Sequence, residues 1–417
     1  MYIVWTKFVG MLALCGVVLC AGCATPNVSA LTAANNDFGQ SADEKKLLSQ
    51  AKNFRDDLDR KGMLLETPAL LAYVERVAHP LIPADINGDV HFAFHILRSP
   101  IVNAFALPDG NIYLSVGLLA RLENDAELAQ VIGHEIGHVV LRHALKGYQT
   151  NRSQMVAAHI ADLVLFGTSI AYLPYIASVA SYSREQEEEA DRFGLRAIAE
   201  NGYSLAAGIH IFDVLNEVKK TESIEGSWYS SHPSNKERAA VLTKLTQSGA
   251  VMSLQPGKTG DDTYPLFALQ LLQENIRLKL NARQYELAAD AAKRGLSTKN
   301  DSPWFYYYQG EAYRNMAEDS KGAAREHAWI YGKTYNDSLV ADFEKRKPEF
   351  SDVAEQAYQQ ALRLDGKLVL AERGLGLLYL RNGNLSAARA NLTAYLAQQA
   401  DIADRQYINH LLEEITK

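Results

Sequence analysis

His134-Glu135-Ile136-Gly137-His138 stands in the middle of a run, Ala126 to Leu145, whose apolar residues recur at helical spacing: Leu128, Val131, Ile132, Ile136, Val139 and Val140. Neither proline nor a glycine pair breaks the run, so the spacing predicts one helix through the pentapeptide. At roughly 100° per residue, His134 and His138 fall within about 40° of each other, one turn apart. Two imidazoles so placed can hold one zinc ion. Glu135 leans out beside them, where a carboxylate can take a proton from water activated at the metal.

A catalytic zinc normally keeps three protein ligands and one open position. A third histidine in the extended form H-E-x-x-H-x-x-G-x-x-H is excluded, because Leu141 and Ala144 occupy the positions it needs. His143 lies five residues past His138, about 140° round a continuous helix, and is expected to face away from the metal. The three cysteines, Cys15, Cys20 and Cys23, all lie near the N-terminus, so the ligands must be histidine and carboxylate. The segment Ser183-Arg184-Glu185-Gln186-Glu187-Glu188-Glu189-Ala190-Asp191 supplies a candidate. Glu185, Glu188 and Glu189 read as a solvated helix face. Glu187 and Asp191 are four apart and share a face, so one can bind the metal while the other accepts the free ring N–H of a ligating histidine.

That segment resembles the S-R-x-x-E-x-x-A-D signature of the M48 family of zinc metallopeptidases, with Ser183, Arg184, Glu187, Ala190 and Asp191 filling the pattern. The resemblance implies that one zinc ion per chain is held by His134, His138 and Glu187, that Glu135 is the general base, and that Asp191 supports a zinc histidine. Residues 100–119 read as strand, turn at Pro108-Asp109-Gly110, and strand. They are similar to the family's N-A-F-x-x-P-x-G-x-I segment, with Asp109 where the family often has glycine. By that likeness the strand carrying Asn103 and Ala104 borders the cleft and binds substrate backbone by strand pairing. Ser231-His232-Pro233 followed by Arg238 resembles the family's S/T-H-P-x-x-x-x-R element. His232 is then expected to stabilise the oxyanion, or to occupy the open zinc position and hold the enzyme latent. A turn histidine before proline is the plainer alternative.

The chain opens on a targeting segment. Lys7 precedes an apolar core from Phe8 to Leu19, too short for a comfortable membrane span. Ala21-Gly22-Cys23 resembles a bacterial lipobox, which implies removal of residues 1–22, lipid on Cys23, and, with Ala24 following, an outer-membrane anchor facing the periplasm. A plain secretory signal is the alternative. With no other cysteines, the mature chain would have no thiol pair for a disulfide. The net charge of -7 and absence of a basic stripe exclude a nucleic-acid surface.

The expected fold is mainly α with a small β-sheet: a zincin-like metallopeptidase domain, then an all-α helical repeat domain of the tetratricopeptide (TPR) kind. Residues 23–42 read as a flexible tether, 43–250 as the peptidase domain, 251–262 as a linker and 263–417 as the repeats. Two opening helices are expected, Glu44 to Lys61 and Thr67 to Leu81. Within the peptidase domain, the apolar stretch Val156 to Tyr182 is interrupted by Asp162, Gly167 and Pro174, and reads as a helical hairpin rather than a span. In the repeats, Ala354, Tyr358, Ala361 and Leu362 are matched thirty-four residues on by Ala388, Leu392, Tyr395 and Leu396, and Gly310 and Tyr313 recur at Gly376 and Tyr379. About three irregular helix pairs are expected, their register broken by an insertion near 318–350.

These readings point to a zinc endopeptidase of the bacterial cell envelope. It would act on misfolded or misassembled outer-membrane proteins, with the repeats docking clients or the outer-membrane assembly machinery. The competing reading is a chaperone or scaffold for outer-membrane protein assembly whose peptidase activity is secondary or latent.

Overall fold

The computed structural model describes residues 28–32, 41–86, 90–150, 182–222, 232, 235–251, 257–260, 264–398 and 403–416. The segment 1–27, with the expected signal and Cys23, lies outside the described residues, as does the apolar stretch from 156 except Tyr182. Among the described residues no helix is long and apolar enough to cross a membrane.

The N-terminal part opens with helices α1 (Ala42–Arg60) and α2 (Pro68–Ala78), the latter followed by a single 3-10 turn at His79–Leu81. Three strands follow: β1 (Ala93–Leu97), β2 (Ala104–Ala106) and β3 (Asn111–Ser115). The expected hairpin is β2–β3, antiparallel with Phe105 opposite Tyr113. Its turn needs glycine at 110, where φ is +90° and a Cβ would lie 2.7 Å from the His91 carbonyl oxygen. The sequence reading has two strands here; the structure adds β1, parallel to β3, giving the order β1-β3-β2.

A single turn, α3 (Val116–Leu119), leads to α4 (Asp125–Val140), which carries the pentapeptide. Asn124 caps α4 by accepting the Glu127 N–H at 3.1 Å, and Asp125 and Glu127 place negative charge in the first turn. Every residue of α4 is buried. Leu128, Ile132 and Ile136 join the main core, each contributing about 1.5–3 kcal/mol by leaving water. The helix does not run on to Leu145 as its apolar spacing predicts. It ends at Val140, turns through Arg142 in the left-handed region (φ 54°), and restarts as α5 (His143–Thr150).

Helix α6 (Arg184–Glu200) packs along α4, followed by α7 (Leu205–Thr221) and α8 (Asn235–Gln247). The α4–α6 approach depends on small residues. A Cβ on Gly133 would lie 3.0 Å from the Gly194 Cα, and one on Gly137 would lie 3.2 Å from the Ala190 Cα. Bulkier residues would push the second helix, and the acids it carries, away from the first.

Two stretches read as loose are pinned. Leu31, inside the expected tether, is buried and donates its N–H to the Val140 carbonyl at 2.8 Å. Within the expected linker, the Thr259 carbonyl accepts the Ala126 N–H at 2.9 Å, and Lys258 bridges Tyr203.

Beyond residue 263 the described chain is entirely helical: α9 (Tyr264–Asn281), α10 (Tyr285–Thr298), α11 (Pro303–Glu318), α12 (Ser320–Ile330), α13 (Asp337–Lys345), α14 (Lys347–Leu364), α15 (Val369–Arg381), α16 (Leu385–Gln398) and α17 (Arg405–Thr416). Pairs α9–α10, α11–α14 and α15–α16 make the expected three. The repeated residues are packing positions: Gly310 admits the Tyr358 ring and Gly376 admits Leu392. The insertion that breaks the register is itself two helices, α12 and α13, whose Ala323, Ala324 and Phe343 share a core with α10 and α14. The first pair is fastened to the part of the chain that precedes it. The Tyr264 hydroxyl donates to the Leu119 and Leu122 carbonyls, and Lys279 Nζ meets Glu222 Oε2 at 2.8 Å.

Candidate metal centre

Helices α4 and α6 and the residue at 232 bring His134, His138, Glu187 and His232 together, all buried, with one ligand atom of each within 4.8 Å of the others. His134 Nε2 and His138 Nε2 face each other at 2.9 Å. His232 Nδ1 is 3.2 Å from His134 Nε2 and 2.9 Å from Glu187 Oε1. Glu187 Oε1 is 3.6 Å from His138 Nε2, and Oε2 is 3.8 Å from His134 Nε2. Four donors bound at zinc distances in a tetrahedron would stand about 3.3 Å apart. The cluster brackets that figure.

The proton arrangement supports the same fit. Asp191 Oδ1 lies 2.9 Å from His134 Nδ1, and a carboxylate only accepts, so His134 carries its proton on Nδ1. His143 Nε2 meets Glu189 Oε2 at 3.0 Å, which puts the His143 proton on Nε2 and leaves its Nδ1 to accept from His138 Nδ1 at 2.8 Å. Both facing Nε2 atoms of His134 and His138 then present bare lone pairs. Neither can donate to the other, and a cation between them satisfies both. The donor set of three imidazoles and a carboxylate suits zinc.

Charge is fixed around the cluster. Burial raises the Glu187 carboxyl, but His232, His134 and Arg238 outweigh it and leave it below its ordinary value. Asp191 is likewise raised by burial and held well below the carboxylate range by Arg238 and His134. Arg238 reaches both acids, Nη1 to Glu187 Oε2 at 3.0 Å and Nη2 to Asp191 Oδ1 at 2.7 Å. Burial holds His138 well below the usual imidazole range and His143 down to about 4, so both are neutral.

Glu135 is 0% exposed and neither carboxylate oxygen has a hydrogen-bond partner among the described residues. Burial raises its carboxyl against the pull of His232 and His134. His232 Nε2 is 3.6 Å from Glu135 Oε1. An orphaned carboxylate of this kind costs stability, which points to a role in chemistry.

The sequence readings divide here. His134, His138, Glu187, Asp191, Glu135 and His232 are assembled. Asn103 and Ala104 are buried, and β2 is the outer strand of the sheet, packed on α4. The Asn103 N–H is spent on Ser115 Oγ at 3.0 Å and its carbonyl accepts the Ser115 N–H, so its main chain is turned into the sheet rather than offered to a peptide. His143 and Glu189 correct their readings: neither faces away nor stands idle, because the helix break at Arg142 returns His143 to His138. Arg238 and Tyr182 carry roles the sequence reading did not assign. Tyr182 stacks on the His138 ring, centroids 3.8 Å apart and planes at 17°. A second cluster, Glu123, Glu127 and His210, has its buried member spent: Glu127 holds His210 Nδ1 at 2.8 Å and the Glu123 N–H at 2.7 Å.

Residues 65–246 match Peptidase family M48. Metalloprotease LoiP of Escherichia coli K12 is 32% identical over 205 residues, 46% of this chain and 78% of that protein. Mitochondrial metalloendopeptidase OMA1 of Arabidopsis thaliana is 36% identical over 173 residues, 40% of this chain and 34% of that protein. The beta-barrel assembly-enhancing protease of Escherichia coli O157:H7 is 25% identical over 220 residues, 49% of this chain and 45% of that protein. The chain thus spans under half the length of the latter two relatives. The matched region contains the complete donor cluster, Glu135 and the Arg238 clamp, and with most of the LoiP length aligned, the chain belongs to peptidase family M48.

Proposed function

We propose that this chain is a zinc endopeptidase acting on protein clients in the bacterial envelope, anchored by lipid on Cys23. The observation that carries the reading is the convergence of four buried donors beside a buried carboxylate that has no hydrogen-bond partner among the described residues. His134, His138 and Glu187 are the residues that would hold the metal. Bound zinc supplies a Lewis acid that makes water nucleophilic near neutral pH and polarises a carbonyl. Glu135 takes the proton of the attacking water on a carboxylate oxygen and returns it to the leaving amine. Its raised carboxyl pKa suits a group that must both gain and lose that proton. Asp191 and Arg238 keep His134 and Glu187 in place throughout. A client strand would pair along β2 beyond Asn103.

The position of His232 favours a latent form of this enzyme. Its Nδ1 stands among the donors, where the open position of a working site should be. A histidine there excludes substrate until it withdraws. The beta-barrel assembly-enhancing and LoiP relatives support an envelope role, and the repeat domain supports docking of clients or assembly machinery. A scaffold with secondary peptidase activity is the alternative that latency keeps in play.

Metal analysis by mass spectrometry and casein hydrolysis test the reading on the purified chain. Wild type should carry one zinc, Glu187→Ala should lose it, and Glu135→Gln should keep it while losing at least about a hundredfold in rate. Cleavage by Glu135→Gln at the wild-type rate would end the peptidase assignment. His232→Ala should cleave faster than wild type at equal zinc content; an unchanged rate removes the latch.

A further inference from the structure

We infer that His143, seated on Glu189, is a positioning residue for His138: it fixes the tautomer and the aim of that imidazole. The inference rests on the metallopeptidase reading and extends it to two residues outside the donor set.

The geometry is a three-member relay. Glu189 Oε2 lies 3.0 Å from His143 Nε2, and His143 Nδ1 lies 2.8 Å from His138 Nδ1. Donor and acceptor roles run one way only. Glu189 accepts, so His143 donates from Nε2; its bare Nδ1 then accepts, so His138 donates from Nδ1. His138 Nε2 is left as a lone pair directed at His134 Nε2, the state a metal ligand requires. His143 is 0% exposed, so no water competes for its bond to His138.

The two zinc histidines are therefore held by different chemistry. His134 leans on a buried acid that Arg238 grips twice. His138 leans on a neutral ring whose far end reaches a half-exposed acid, shared with Lys146 at 3.6 Å. Tyr182 closes the open face of the His138 ring.

The backbone is arranged to deliver His143. A continuing helix would carry its ring about 140° away from His138. Arg142 instead adopts φ 54°, a left-handed conformation that L side chains rarely take. Its guanidinium is held by both oxygens of Glu44, at 3.1 and 2.6 Å, and by the Ser29 carbonyl at 3.2 Å. Glu44 on α1 thus anchors the reversal that points His143 back.

The test is zinc affinity of the full purified chain, read by competition with a chromogenic chelator, together with the melting temperature of the zinc-free protein. His143→Asn places Oδ1 where Nδ1 was and keeps an acceptor for His138. His143→Leu removes it. His143→Leu should weaken zinc binding about 10–100-fold, and His143→Asn should stay within a few-fold of wild type. Glu189→Ala, at a half-exposed site, should weaken binding in the same direction without moving the zinc-free melting temperature. Equal losses for the Asn and Leu variants, or wild-type affinity in both Leu and Glu189→Ala, would overturn the relay. Failure of wild type itself to bind zinc would sink the metallopeptidase reading along with it.

Discussion

Arg238 grips Asp191 through two nitrogens, Nε to Oδ2 and Nη2 to Oδ1, each at 2.7 Å, while its third nitrogen holds Glu187. One guanidinium thus neutralises both the acid that would bind the metal and the acid that orients His134. The cation is 5% exposed and lies over the Phe212 ring at 5.0 Å, so its fork cannot drift.

Replacing Arg238 by Met should leave two buried carboxylates without their cation. Breaking a buried pair in this way costs about 3–5 kcal/mol. It should also show in acid. The Asp191 carboxyl is depressed when folded, so its stabilising effect is present above the ordinary carboxylate pKa and is lost as pH falls through the folded value. Without Arg238 that folded value rises, and the variant should unfold at a higher pH than wild type. Circular dichroism across an acid titration checks this; coincident midpoints would refute it.

Gly194 sets the distance between α4 and α6. A Cβ there would lie 2.9 Å from the His134 backbone nitrogen. Gly194→Val should therefore separate the helices, at about 1–3 kcal/mol of overpacking. It should also lower zinc affinity, because Glu187 and Asp191 ride on the displaced helix. A variant that loses stability in urea but keeps wild-type zinc affinity would show that the two helices do not fix the donor geometry.

The pentapeptide made His134, Glu135 and His138 legible because four residues is one helical turn, and the separation of Glu187 from Asp191 obeys the same rule. His143 was not legible because the argument against it assumed one continuous helix, and no local residue announces the left-handed turn at Arg142. That turn depends on Glu44, ninety-eight positions earlier in the chain. Glu189 reads as a solvated acid because it is one, half-exposed, and only tertiary contact gives it His143. Strand β1 escaped because it pairs in parallel with β3, two strands on in sequence, and such pairing leaves no turn signal in sequence. The helices α12 and α13 escaped for another reason: α13 buries only Phe343, and α12 buries alanines beside Ser320 and Glu326, so neither shows a stripe of large apolar residues.

Glu326 gives the repeat domain a pH dependence of its own. It accepts the N–H groups of Glu286 and Leu287 at the start of α10, at 2.8 and 3.1 Å. Burial nevertheless pushes its carboxyl up to about 8. A raised folded pKa means that the stabilising effect is complete below the ordinary value of 4.5 and is lost as pH climbs to about 8. Stability should fall across that window by something on the order of 5 kcal/mol. Glu326→Gln keeps an oxygen acceptor and does not titrate, so urea unfolding of this variant should lack that slope. An equal slope in both proteins would assign the dependence to other groups.

Lys279 and Glu222 are the charged part of the seam between the peptidase domain and the first repeat pair. Lys279 is 0% exposed, and its Nζ rests on Glu222 Oε2 at 2.8 Å while Arg121 holds the other oxygen. Burial lowers the lysine pKa against the support of Glu222. Glu222→Gln removes the only acid of this trio and should cost about 3–5 kcal/mol, since two cations then face each other in a dry seam. Lys279→Met should cost less, because Glu222 keeps Arg121. The two changes together should recover part of the Glu222→Gln loss, as coupled partners do in a double-mutant cycle. Calorimetry reads both the size of the effect and its place: if the seam joins the domains, Glu222→Gln should split the wild-type thermal transition in two. A single transition at the wild-type temperature would show that the Tyr264 hydrogen bonds and the apolar packing of Phe267 and Leu271 fasten the repeats without this charged trio.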